Sequence, residues 1–280
     1  MAVGFLGLGN IGQPMAEHLL QLEEPVWVYD VMPGPMAELE SRGARVAATP
    51  AELAAACAHI GICVRDDADV EGLLQGPDGL LAHARPDSIL AIHSTVTQAS
   101  VLRWAEAAAE RGLHLLDAPI SGGAEGARQG SLCYMVGADE AQLERCRKVF
   151  MTSAARIVHA GPLGTGIALK LCNNLMSYLA FAAIHEAGNL AEACGLDLDS
   201  LKAVGEANGV VTPQMWQFLQ GRNAVSAQGP EALKQAFGGF ARLGEKDLQA
   251  ALASGEQLGL SMPATRCVEQ LVSDVFLKRY

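Results

Sequence analysis

The sequence predicts an α/β fold in two parts: an N-terminal doubly wound, mostly parallel sheet, then an all-helical C-terminal domain joined to it by a long helix. Three observations carry that prediction. Up to about residue 160, short apolar or β-branched runs alternate with longer helical patterns. From about Gly164 to Tyr280 no run reads as a strand. The first strand-to-helix junction is a glycine-rich turn, Gly7-Leu8-Gly9-Asn10-Ile11-Gly12.

Taken in order, the candidate strands are residues 3–6, 26–29, 45–46, 60–64, 89–92, 115–117 and 134–136. Between them, 15–22, 52–57 and 99–111 carry apolar residues at helical spacing. Strand-helix-strand alternation implies a parallel sheet covered by helices on both faces. Residues 163–194 read as one long helix ended by Gly195, and later helices break at Gly209, Pro213, Gly229-Pro230 and Pro263. The expected domains are therefore 1–162 and 163–280.

Composition narrows the function. Half of the 280 residues are hydrophobic and 18% are charged, enough to bury a sizeable core. Aromatic residues are 5% of the chain while glycine and alanine abound, which favours tightly packed helices over a β-sandwich. The 20 Lys and Arg against 31 Asp and Glu give a net charge of -11. Such a surface repels nucleic acid and anionic membranes, so neither is an expected partner. An anionic substrate would need a locally basic or amide-lined pocket. The seven cysteines form no C-x-x-C pair, which fits reduced thiols in the cytoplasm, and the seven histidines show no ligand spacing, so no metal site is expected. No targeting segment is read at the start. The most lipid-like stretch, 167–184, holds Lys170, Asn173 and Asn174, costly groups in lipid, and is read as a buried core helix.

Gly7, Gly9 and Gly12 form G-x-G-x-x-G directly after a strand and at the start of a helix. The first glycine suits a tight turn, the second a close approach to a pyrophosphate, the third helix-strand packing. With Asn10 and Ile11 they expose N–H groups at a helix N-terminus. Asp30 closes the next strand, where a carboxylate accepts bonds from ribose hydroxyls and repels a 2′-phosphate. Val31-Met32-Pro33 follow, without an arginine. The context points to a Rossmann-type dinucleotide-binding domain that prefers NAD, with NADP as the alternative.

Two further segments carry chemistry. Ser121-Gly122-Gly123 follows a strand, and its hydroxyl and successive N–H groups suit a carboxylate. By itself it reads equally as a turn with Ser121 as a cap. Lys170 and Asn174 lie four apart, on one face of the long helix. Alone, Lys170 also reads as a snorkelling or ion-paired lysine.

Together these segments resemble the β-hydroxyacid dehydrogenases, the group typified by 3-hydroxyisobutyrate dehydrogenase. The matching runs are GFLGLGNIGQPMAEHLL at the start, HSTV at 93–96, DAPISGGAEGARQGSL at 117–132, GPLGTGIALKLCNNLM at 161–176 and EKDLQAAL at 245–252. The resemblance implies that Gly7, Gly9, Asn10, Ile11, Gly12, Asp30, Val64, Arg65 and Thr95 contact the cofactor, and that Lys246 closes over the nicotinamide. It implies that Ser121, Gly122, Gly123 and Asn174 hold the substrate and that Lys170 is the catalytic acid/base. It also implies a homodimer or homotetramer, with 163–280 as the substrate and oligomerisation domain. Two runs depart from the family pattern. Cys63-Val64-Arg65-Asp66-Asp67 stands where a Met-Leu-Pro-like run is common, and Ile92-His93-Ser94-Thr95 where Asp-Ser-Ser-Thr is. His93 is read as a loop histidine.

The expected reaction is reversible hydride transfer between NAD and a small hydroxy acid or semialdehyde acid. Lys170 would exchange the hydroxyl proton and stabilise alkoxide charge. Candidate substrates are 3-hydroxyisobutyrate, tartronate semialdehyde, succinic semialdehyde, glyoxylate, or a phosphonate or sulfonate analogue. The alternatives are an imine reductase of similar architecture and a catalytically inactive scaffold.

Overall fold

The computed structural model describes residues 2–280. Its first unit, which runs to Lys170, contains β1 (Ala2–Leu6), α1 (Gly12–Leu19), β2 (Val26–Tyr29), α2 (Pro33–Ser41), β3 (Arg45–Val46), α3 (Pro50–Ala56), β4 (Cys57–Ile62), α4 (Asp67–Gln75), α5 (Leu80–His83) and β5 (Ile89–Ile92). It continues with α6 (Gln98–Ala109), β6 (His114–Asp117), β7 (Ile120–Ser121), α7 (Gly123–Arg128), β8 (Leu132–Gly137), α8 (Glu140–Phe150) and β9 (Ala154–Gly161). The sheet order is β3-β2-β1-β4-β5-β6-β8-β7, with β9 beside β8. Strands β1 to β6 pair in parallel, β8 runs antiparallel to β6 and β7, and β9 is parallel to β8. The chain reverses its direction of winding between β1 and β4, the crevice where doubly wound sheets bind ligands.

The elements form where local chemistry and burial agree. Strands β4 and β5 are almost wholly buried, as strands covered on both faces must be. Thr49, Asp66 and Thr97 cap α3, α4 and α6 by accepting the backbone N–H of Glu52, Asp69 and Ser100. Val3, Phe5, Met15, Leu19, Val28, Leu116, Val136 and Phe150 belong to one core cluster of this unit.

Two strands escaped the sequence reading. Strand β7 is a two-residue bridge. Strand β9 contains the exposed Ala155, Arg156 and His159, so it lacks the apolar alternation that marks a half-buried strand. Strand β4 begins three residues earlier than expected and stops at Ile62, because α3 ends at Ala56 and the chain passes directly into the sheet.

The second unit, Leu171–Tyr280, is helical. Helix α9 (Thr165–Ala193) begins in the first unit and runs into it, followed by α10 (Leu198–Ala207), α11 (Pro213–Ser226), α12 (Pro230–Gln257) and α13 (Pro263–Leu277). Proline opens α11, α12 and α13, where a missing N–H costs nothing. Tyr178, Trp216, Phe218, Leu248, Val272 and Phe276 belong to the core of this unit.

Helix α9 is long and apolar enough to cross a membrane by length and composition alone. It is not the enclosed core helix expected, since Leu169, Met176 and Leu190 are 37%, 63% and 68% exposed. Composition reports how apolar a helix is and not how much of its circumference is covered.

Candidate active site

The glycine turn after β1 separates packing from ligand space. Gly7 has φ +89°, and a Cβ there would overlap the carbonyl of Cys63. A Cβ on Gly12 would overlap the carbonyl of Gly7. These two glycines are required by the fold itself. Gly9 is different: it is exposed, and a Cβ there would meet nothing within 4 Å. Its bare backbone leaves room for a ligand to come close. Asn10 is exposed, Ile11 is the N-cap of α1, and no side chain caps that helix; the N–H of Gln13 donates to the Gly9 carbonyl at 3.0 Å and Pro14 has none, so the helix offers the turn its positive end more than a row of free N–H groups. A dinucleotide's pyrophosphate fits this cradle.

Asp30 sits just past the end of β2. Its Oδ2 accepts the N–H of Leu8 at 2.5 Å and its Oδ1 accepts the N–H of Met32 at 2.7 Å. The carboxylate is therefore locked beside the glycine turn, and each oxygen keeps a second lone pair for a hydroxyl. Val31 and Met32 beyond it are exposed.

The loops after β4 and β5 are tied to each other. The N–H of Val64 donates to Ser94 Oγ at 2.8 Å, and Ser94 is buried, so this serine braces the loops while the half-buried Thr95 lies next to it. The departing run at 63–67 builds the start of α4. Asp66 accepts the N–H of Asp69 at 3.0 Å, and Asp67 accepts both the N–H and the hydroxyl of Thr97 at 3.1 and 2.8 Å. Arg65 is 85% exposed and grips Asp69 through Nε and Nη2 at 2.7 and 2.9 Å.

His93 follows β5, as a loop residue would, but its ring is in the core. It stacks on Phe5 with centroids 5.9 Å apart and meets Tyr134 and Phe150 edge-on. Nδ1 bonds the carbonyl of Ala118 at 2.9 Å, and burial lowers the ring's pKa to about 4, so it is neutral at pH 7. It is a packing residue.

Ser121 ends β7, and Gly122 and Gly123 follow at φ +127° and +62°, two successive left-handed residues that leave the backbone at the turn exposed. Upstream, Asp117 ends β6 and is fully buried. It accepts the N–H of Gly164 and of Ile167, each at 2.7 Å, and so ties the start of α9 to the sheet. Burial pushes its carboxyl pKa up, while those N–H groups pull it back. Lys170 lies one turn farther along α9 and is only 9% exposed. In the second unit, Asn174 Nδ2 donates to Asp247 Oδ2 at 2.7 Å, and Asp247 stands beside Lys246 on α12.

Thus Gly7, Gly9, Asp30, Val64, Arg65, Thr95 and Gly122 lie on the loops that follow β1, β2, β4, β5 and β7, while Ser121 ends β7 and Gly12 and Gly123 open α1 and α7. Asn174 and Lys246 are brought near each other through Asp247. Two residues had no role in the sequence reading. Asp117 was legible as a charge closing the buried run Leu115-Leu116. Asp247 was legible as a charge at helical spacing with the buried Gly244, Leu248 and Ala251.

Comparison with known proteins agrees with this layout. Residues 2–161 match the NAD-binding domain model of 6-phosphogluconate dehydrogenase, and residues 164–278 match the NAD-binding model of NADP-dependent 3-hydroxyisobutyrate dehydrogenase. The chain belongs to the β-hydroxyacid dehydrogenase family. It is an NAD(P)-dependent oxidoreductase of that type, similar to a 3-hydroxyisobutyrate dehydrogenase of Pseudomonas aeruginosa, with 35% identity over 97% of this chain and 91% of the relative. It is 33% identical to a 2-(hydroxymethyl)glutarate dehydrogenase of Eubacterium barkeri, over 96% of this chain and 87% of that one. Among solved structures, a Mycobacterium tuberculosis 3-hydroxyisobutyrate dehydrogenase with L-serine superposes with TM-score 0.82 and 29% identity, over 99% and 93% of the two chains.

Proposed function

We propose that this dehydrogenase oxidises 2-substituted 3-hydroxypropanoates, of the form HOCH2–CH(R)–COO⁻, to the semialdehyde acids, and reduces them in reverse. The acids in the names of its relatives and beside its structural neighbour, 3-hydroxyisobutyrate, 2-(hydroxymethyl)glutarate and L-serine, share that unit and differ only in R. The observation that carries the reading is Lys170, a buried lysine on a helix whose first turn is bonded to β6, the strand that precedes Ser121-Gly122-Gly123. A lysine out of solvent is suited to proton exchange and to holding developing negative charge.

In this reading Ser121, Gly122 and Gly123 hold the carboxylate, so that the terminal CH2OH falls at a fixed distance from it. Bound NAD supplies the hydride acceptor. Lys170 takes the hydroxyl proton on oxidation and returns one on reduction. Asn174 orients the lysine and substrate without adding charge. Gly9, Asn10, Ile11 and Gly12 receive the pyrophosphate, Asp30 the adenosine ribose, Val64, Arg65 and Thr95 the nicotinamide side, and Lys246 closes over it. Asp30 favours NAD over NADP by charge.

The reading includes a homo-oligomer. Leu169, Met176, Ala183 and Leu190 recur every seven residues along α9 and all are exposed, an apolar seam of the kind that packs against another helix.

The test is a steady-state assay with NAD and NADP against 3-hydroxyisobutyrate, 2-(hydroxymethyl)glutarate and L-serine, and with NADH and NADPH against glyoxylate, beside Lys170→Ala. Turnover of at least one HOCH2–CH(R)–COO⁻ acid is expected, with kcat in Lys170→Ala lower by about 10²–10⁴-fold and cofactor binding retained. Cofactor binding without turnover of any acid would sink the substrate class and move imines forward.

A further inference from the structure

We propose that Asp117 is a positioning residue for Lys170, the anchor that sets where the lysine stands relative to the Ser121-Gly122-Gly123 turn. The inference rests on the reading of Lys170 given above and adds a residue to it.

A helix leaves its first N–H groups without partners inside the helix. At α9 two of the N–H groups at this end go to a carboxylate from elsewhere in the chain: Asp117 Oδ1 takes Gly164 and Oδ2 takes Ile167, both at 2.7 Å. Both oxygens accept, which is the pattern of an ionised carboxylate, and a negative charge is favoured at that end of a helix. Ile167 is the third residue of α9, and Lys170 is the next residue but two. The lysine thus projects from the turn that follows directly on the one Asp117 holds.

The glycines around this contact show how close it is. A Cβ on Gly166 would stand 2.5 Å from the carbonyl oxygen of Met135, 2.8 Å from the nitrogen of Gly137 and 2.9 Å from the carbonyl oxygen of Asp117. A Cβ on Gly137 would overlap the Asp117 carboxylate itself. The first turn of α9 therefore rests on the bare backbone of β6 and β8, with no side-chain layer to give way.

From the same end of β6 the chain leads on into the turn. Ala118 N–H bonds Ile92, Pro119 accepts Met135, and Ile120 and Ser121 pair with Tyr134 and Cys133. From Asp117 to Ser121 the chain is held to the sheet throughout. One buried carboxylate thus joins two rigid pieces, the turn and the lysine-bearing helix. A shift of about 1 Å at a reacting group can lower a rate by roughly a hundredfold.

Asp117→Asn keeps the shape but turns an amide donor toward one of the two N–H groups. Expected are faster amide exchange confined to residues 163–171, a ten- to hundredfold fall in kcat with whichever acid of the panel turns over fastest, and a KM for NAD within twofold of wild type. The deciding comparison uses the residual rate of Lys170→Ala, with and without ethylamine added as a base from solution. A free amine needs no helix to place it, so adding Asp117→Asn should change that rate less than twofold. If the second substitution lowers it as much as it lowers wild-type kcat, Asp117 acts independently of the lysine and the proposal is overturned. If Lys170→Ala alone keeps wild-type kcat, the reading of Lys170 has failed, a different result, and the inference falls with it. Should Asp117→Asn not fold, Gly166→Ala, which pushes the helix off the strands and leaves the carboxylate in place, decides by the same two rates.

Discussion

Asn174 Nδ2 donates to Asp247 Oδ2 at 2.7 Å, and Asp247 also accepts the hydroxyl of Tyr178 at 3.1 Å. A carboxylate only accepts, so the amide's NH2 end is committed to Asp247 and its oxygen faces the other way. Burial, and then the charge of Asp247, push the Tyr178 phenol pKa up, which keeps it a donor. Asp247→Asn removes this polarity and leaves only the longer bond from Asn173 Nδ2 to Asn174 Oδ1, at 3.3 Å, to orient the amide. The expected outcome is a rise of about tenfold in KM for the acid, equivalent to about 1.4 kcal/mol, with KM for NAD changed less. Steady-state kinetics in both substrates will show it, and an unchanged KM for the acid would remove Asn174 from the substrate site.

The glycine turn separates two kinds of damage. Gly9→Ala meets open space, so its melting temperature should stay within about 1 °C of wild type while NAD affinity falls tenfold or more. Gly12→Ala meets the Gly7 carbonyl and should lose about 1–3 kcal/mol of stability as well. Thermal melts beside cofactor titrations distinguish them. Stabilisation of the cofactor complex by Gly9→Ala would contradict the cradle.

Asp30 holds both Leu8 and Met32, so its removal loosens the turn as well as the ribose contact proposed for it. In Asp30→Asn the ratio of kcat/KM for NAD over NADP should fall by about tenfold or more, as one charge-assisted bond and one repulsion are lost. A wild type that prefers NADP would reverse the role given to this carboxylate.

Acid should destabilise the first unit through its buried histidines. Burial first, then the charges of His93 and Arg145, lower the pKa of His59 to about 3, and burial lowers that of His93 to about 4. Both lie below the unfolded value of 6.5. The unfolded chain therefore binds these protons first. The stability is fully present above pH 6.5 and is lost as pH falls toward 4, with a slope near 1.4 kcal/mol per pH unit for each histidine. Urea unfolding between pH 7 and 4.5 measures it. His93→Phe, which keeps the stack on Phe5, should remove about one proton's worth of that slope, and an identical slope would show that His93 is protonated when folded.

The seam along α9 gives a test of assembly. Met176→Glu places a charge at the middle of Leu169, Met176, Ala183 and Leu190, and should shift the mass seen by light scattering toward the monomer. A wild-type chain that is monomeric at micromolar concentration would sink the homo-oligomer.

Periodicity made the two-part architecture legible because strand and helix repeats are local, and it placed the ends of α9 within two residues at its start and one at its end. Strand β9 was not legible, since its exposed residues at Ala155, Arg156 and His159 hide the alternation, and its place beside β8 is a long-range pairing. His93 was legible as following a strand but not as buried, because only the packing of Phe5, Tyr134 and Phe150 supplies its neighbours.

By itself the sequence marked the candidate residues: the turn Gly7 to Gly12, Asp30, the Ser121-Gly122-Gly123 run and Lys170 on its helix. Those signals depend on residue type and short spacing. Only the tertiary structure decided what holds them. That Asp117 grips Gly164 and Ile167, that Asp247 fixes Asn174, and that Ser94 braces Val64 depend on hydrogen bonds across 30 to 73 residues of chain. Such bonds leave no periodic trace in the sequence, because their geometry exists only once the backbone has closed.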